Sequence, residues 1–152
     1  AKKAESVDEA RQMLIHAIQS GKALEKMKAF ITSQGGDAAC IDHPEKLPQA
    51  KYKIELPAKA SGWIEKMMAD KIGLAAMQLG AGRETKESKI DLAVGIVLNK
   101  KVGDPIEQGE SILTIYSNSE NIEEVKNLLY HSIKISHSKI SPPPLIHEII
   151  SK

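Results

Sequence analysis

The sequence predicts a mixed α+β or α/β fold, with a helical hairpin ahead of a strand-rich domain. Three observations carry this: two apolar stripes at helical spacing within residues 1–36, a helix-breaking Pro/Gly text after them, and four short β-branched or alternating runs beyond. The length, 152 residues, is that of one ordinary domain or one domain with an appended helical segment. A hydrophobic share of 41% and a charged share of 27% match a soluble globular chain and argue against a disordered or fibrous one.

Ser6 and Glu9 have the spacing of a capping box, in which a serine caps a helix and a glutamate three residues on reaches back. Ala10, Met13, Leu14, Ala17 and Ile18 then form an apolar stripe that Gly21 ends. Leu24, Met27, Phe30 and Ile31 form a second stripe, ended by Gly35 and Gly36, so the two helices make a hairpin with a very short connection. His43-Pro44, Leu47-Pro48 and Leu56-Pro57 then mark a linker. Strands are expected at 52–56, 62–67, 92–99 and 111–117. A short helix over 70–79, capped by Asp70, separates the second from the third. Asn121 and Glu124 suggest another capping box for a helix carrying Ile122, Val125, Leu128, Leu129 and Ile133. After Pro142, Pro143 and Pro144, residues 145–150 read as a last strand at a sheet edge.

Charge and cysteine content narrow the function classes. Lys and Arg total 21 against 20 acidic residues, leaving +1, and only Arg11 and Arg83 offer the guanidinium fork suited to phosphate. Nucleic acid is therefore not an expected partner. No apolar run reaches a membrane span, so no membrane partner is expected either. Cys40 is the single cysteine, and a reduced, cytoplasmic setting is the expectation. The start, Ala1-Lys2-Lys3-Ala4-Glu5, has neither an initiator Met nor a signal-peptide core, which suggests a piece of a longer chain.

Candidate chemistry is sparse. Cys40 and His43 are spaced as a ligand pair, but a structural zinc needs four ligands and no second pair stands nearby, so no metal is expected. No nucleophile elbow is present, and Cys40 has no evident orienting base. Gly80, Gly82 and Arg83 resemble an anion-cradling turn. They follow a helix rather than lead into one, however, which is also the pattern of a helix C-cap and a connecting loop. The polar run 83–89 has no apolar anchor and is expected to be mobile. Gly103-Asp104-Pro105-Ile106 with Gly109 provides two sharp turns around one inward-pointing isoleucine. That text recurs in biotinyl and lipoyl carrier domains. The carrier lysine is absent from the corresponding tip at 118–120, so a non-enzymatic interaction module of that type stands only as a rival reading.

Taken together, several stretches resemble the C-terminal portion of bacterial pyrimidine-nucleoside phosphorylases, the group that includes thymidine phosphorylase. They are Ala23-Leu24-Glu25-Lys26 with Gln34-Gly35-Gly36-Asp37, the run 72–83 (IGLAAMQLGAGR), the run 90–97 (IDLAVGIV), Lys100-Lys101-Val102-Gly103-Asp104 and Pro143-Pro144-Leu145-Ile146. The resemblance runs along essentially the whole chain. It implies a helical hairpin of the large domain at 1–36, a linker at 37–51 and a hammerhead-like, barrel-sandwich-related α/β domain at 52–152. It also implies a parent homodimer that cleaves pyrimidine nucleosides with phosphate to a free base and a pentose 1-phosphate. Phosphate is then a co-substrate, and no cofactor is implied. The family's phosphate- and base-binding motifs lie upstream of this segment. No catalytic or substrate-binding residue is therefore assigned here, the missing N-terminal catalytic portion is the implied partner, and the chain alone is expected to be inactive. The loop of Gly80, Gly82 and Arg83 matches a segment near the interdomain cleft and is the candidate for domain closure. A strict thymidine phosphorylase is the nearest alternative within the family.

Overall fold

The computed structural model describes residues 3–83 and 85–150. The chain divides into two compact units, Ala1–Leu47 and Pro48–Lys152.

In the first unit, helix α1 spans Val7–Gln19 and α2 spans Lys22–Ser33. Ser6 Oγ accepts from the Glu9 amide at 3.1 Å, the forward arm of the capping box. The Glu9 carboxylate reaches back one residue further than the usual box and accepts from the Glu5 amide at 2.7 Å. At the end of α2, the Gly35 amide donates to Thr32 O at 3.0 Å and the Gly36 amide to Ile31 O at 2.9 Å. That is a Schellman closure, made possible by the left-handed Gly35 at φ 79°. Residues read as linker then form α3, Ala39–Asp42, and a 3-10 turn, Pro44–Lys46. Asp37 starts α3 by accepting from the Ala39 amide at 2.8 Å, and Lys28 on α2 holds Asp42 at 2.7 Å. Neither α1 nor α2 contains a buried residue.

The second unit holds β1 (Tyr52–Pro57), β2 (Gly62–Met67), α4 (Ala69–Ala76), β3 (Gly95–Leu98), β4 (Pro105–Ile106), β5 (Ser111–Ser117), α5 (Glu123–Ser132) and β6 (Ile133–Ser136). They form two three-stranded sheets of order β1-β5-β3 and β4-β2-β6, with every pairing antiparallel. Antiparallel pairing throughout makes the class α+β. Across the first sheet, Ile54, Ile115 and Ile96 share a register line, and so do Leu56, Leu113 and Leu98. One face is thus an aliphatic ladder. Central strand β5 buries Ile112, Leu113, Thr114 and Ile115 in succession, as a strand covered on both faces must. Ile64, Ala75 and Leu129 are fully buried and bring β2, α4 and α5 into the same core. Ile64 and Leu129 each contribute roughly 1.5–3 kcal/mol by leaving water. Ile106 is buried between Gly103 and Gly109, both left-handed, as the turn text required.

Several expectations are corrected. Residues 145–150 form no strand: Leu145 is 100% exposed and has no sheet edge against it. Ile133, placed on the last helix by its spacing, begins β6 and pairs with Met67. The third strand starts at Gly95 rather than 92, because Asp91 accepts from the Ala93 amide at 3.0 Å and turns the chain there. Asp70 and Asn121 are not caps. The helices start from Met68 and Ile122 without a side-chain cap.

Candidate functional site

The loop singled out by sequence begins where α4 ends. Past Ala76 the helix widens into a π-turn, Met77–Ala81, which Gly80 breaks at φ 105°. This backbone suits glycine. Gly82 is extended and packs on Met77: a Cβ there would stand 3.0 Å from Met77 Cγ. Both glycines therefore serve the close turn. Because the turn stands at a helix C-terminus, where carbonyls and the negative end of the dipole gather, it is a poor cradle for an anion. Arg83 is exposed and has no ion pair among the described residues. It carries the charge that such a helix end favours. Glu84 lies outside the described residues. Beyond it, Thr85 and Ser88 close a turn through the Ser88 amide to Thr85 O at 3.2 Å and the Thr85 amide to Ser88 Oγ at 3.1 Å.

The far root of the loop is pinned by a residue whose role the sequence did not single out. The Asp91 amide donates to Gly80 O at 2.9 Å, while Asp91 Oδ2 accepts from Asn118 Nδ2 at 2.7 Å. Asn118 Oδ1 in turn accepts from the Lys51 amide at 2.9 Å. The two ends of the loop, the end of β5 and the entry to β1 are thereby tied together. An Asx turn at Asp91 is readable from type alone, but its partner lies 27 residues on. Beside this knot a cleft of about 640 Å³ separates Gln78 and Leu79 from Ser117, Ser119 and the first turn of α5. Glu123 and Glu124 line it and oppose an anionic ligand. Gly80, Gly82 and Arg83 thus share one loop root, with no nucleophile–base pair around them among the described residues.

Other candidates separate. His43 Nδ1 lies 3.0 Å from Glu45 Oε1, and half-buried Cys40 is on α3. Among the described residues no three His, Cys, Asp or Glu side chains are grouped to hold a metal. The tip at 118–120 carries Asn, Ser and Glu. Lys126 is inside α5 and pairs with Glu123 at 2.8 Å. Lys100 pairs with Glu110 at 2.5 Å, and its hydrogen bond holds the Glu110 carboxyl below the ordinary range. No described helix is long and apolar enough to cross a membrane.

Residues 63–136 match the family model of the pyrimidine nucleoside phosphorylase C-terminal domain. Over all 152 residues the chain is 57% identical to a pyrimidine-nucleoside phosphorylase of Staphylococcus aureus (strain USA300), covering 35% of that protein. Over 151 residues it is 56% identical to one of Geobacillus stearothermophilus, again covering 35%. The chain therefore spans about a third of the length of these relatives, and the likeness to the C-terminal portion of such enzymes holds along all of it.

Proposed function

From this kinship with the C-terminal portion of pyrimidine-nucleoside phosphorylases, we propose that the chain is the C-terminal part of such an enzyme. Its own contribution is architectural. The parent reaction is phosphorolysis of a pyrimidine nucleoside to free base and pentose 1-phosphate, carried out by a cytoplasmic, two-domain homodimer without a cofactor. Phosphate and the departing base are held there by groups in the preceding portion, where preorganised donors stabilise the developing charge. This segment completes the large domain, walls the cleft between domains and supports closure. Within it, the loop carrying Gly80, Gly82 and Arg83 is the closure element, and residues 52–152 make up the hammerhead-like, barrel-sandwich-related domain. The observation that carries the proposal is identity of 57% over the whole chain combined with coverage of only 35% of the relative. The tied loop root at Asp91 and Asn118 supports the closure role, since a moving loop needs fixed ends.

The test compares the chain alone with the chain fused behind the upstream two thirds of the Staphylococcus aureus relative. With uridine or thymidine and phosphate, the chain alone releases no base above background, whereas the fusion does. Turnover by the isolated chain, or a folded fusion that fails to cleave either nucleoside, overturns the proposal.

A further inference from the structure

The first unit has a side-chain cap at the start of α1 and a Schellman closure after α2, yet none of its described residues is buried. Val7, Leu14 and Ile18 on α1 are 77%, 67% and 72% exposed. At 100° per residue they fall within about 20° of one line, an apolar ridge roughly 16 Å long. Phe30 on α2 is also largely exposed, and no residue of either helix is buried. Helices of 13 and 12 residues are marginal in water unless an apolar face is covered, so this ridge requires a standing occupant rather than an occasional one.

We infer that the ridge of Val7, Leu14 and Ile18 is the docking face for an apolar segment of the polypeptide that precedes Ala1 in the parent enzyme. The inference rests on the proposed function and adds the place at which the two portions join. The relatives' additional length supplies such a segment, since the chain covers only 35% of them. A covalently attached segment is present at an effective concentration of about millimolar, which a second copy at cellular dilution does not match. The second unit differs in having a buried aliphatic core over β5, β2, α4 and α5, which α1 and α2 lack.

A thiol placed on the ridge reports its cover. In a Cys40→Ser background, Leu14→Cys is labelled with a maleimide in the isolated chain and in the fusion to the upstream portion of the Staphylococcus aureus relative. The thiol should react freely in the isolated chain and about tenfold or more slowly in the fusion. Equal reactivity in a folded fusion overturns the inference. So does protection that grows with the concentration of the isolated chain, which identifies a second copy as the occupant. A fusion that protects the thiol but cleaves no nucleoside keeps the docking face and removes the proposed activity; an active fusion with a reactive thiol does the reverse. As a second measurement, Leu14→Glu with Ile18→Glu should lower the soluble yield of the fusion and leave the melting curve of the isolated chain unchanged. Equal yields overturn the inference.

Discussion

Single glycines decide how closely the chain can pass itself. Gly103 has φ 94°, donates to Ile64 O at 2.9 Å and lies under Pro142, where an added Cβ would stand 2.8 Å from the Pro142 nitrogen. Gly109 is also left-handed, at φ 87°, but an added Cβ would meet nothing within 4 Å. The pair separates strain from collision. Gly109→Ala should cost the strain alone, about 1–2 kcal/mol, and Gly103→Ala about 1–3 kcal/mol more, because backbone rather than a flexible side chain must move. Urea-unfolding midpoints of the two variants check this. Equal losses would mean that the passage of Pro142 over Gly103 does not add to stability. The same contact explains how the chain beyond β6 is held near the turn before β4, although residues 145–150 join no sheet.

At the scale of elements, β1, β5 and the residue just past β3 share a polar cluster. Glu55 Oε2 accepts from Ser111 Oγ, from Thr114 Oγ1 at 2.9 Å and from Asn99 Nδ2, just past β3, at 3.3 Å. The hydrogen bonds from Ser111 and Thr114 hold its carboxyl below the ordinary glutamate range. A carboxyl with a lowered folded-state pKa stabilises the fold above its unfolded value, about 4.3, and that contribution disappears as pH falls through the folded value. Wild type should therefore melt above Glu55→Gln near neutral pH, with the gap closing below about pH 4. A gap independent of pH would assign the effect to packing. Local signals made β1, β2, β5, most of β3 and the two helices of the hairpin legible, whereas β4 and β6 were not expected. Ser6 and Gly35 act within a few residues of themselves. Elsewhere a long-range partner outweighed the local pattern. Ile133 continues the spacing of Val125 and Leu129, yet pairing with Met67 draws it into β6. Asp70 lies two residues past the N-cap Met68 and Asn121 one before the N-cap Ile122, so their cap chemistry misses the helix starts, and 145–150 has no strand beside it. In the loop, the Gly80–Gly82 turn was readable, while the knot of Asp91 with Asn118 was not, because it joins turns brought together only by the folded sheet.

For the molecule as a whole, the two units differ in how they are stabilised. Among the described residues, all thirteen buried hydrophobic side chains, from Leu56 to Ile133, lie in the second unit. Removal of residues 1–47 should thus leave a cooperative melt within a few degrees of that of the whole chain, because none of those side chains is removed. A noncooperative transition on calorimetry would show instead that the hairpin contributes to folding. The strand order has a further consequence, for biosynthesis. Tyr52 pairs with Ser117 and Trp63 with Ser136, and among the described residues no strand pairs with its neighbour in sequence. Early strands must therefore wait for late ones. On a ribosome adding about 5–20 residues per second, β2 emerges several seconds before β6 can flank it. Through that interval its apolar edge is open to other nascent chains, which makes the arrival of the last strand the step at which a chaperone has most to protect.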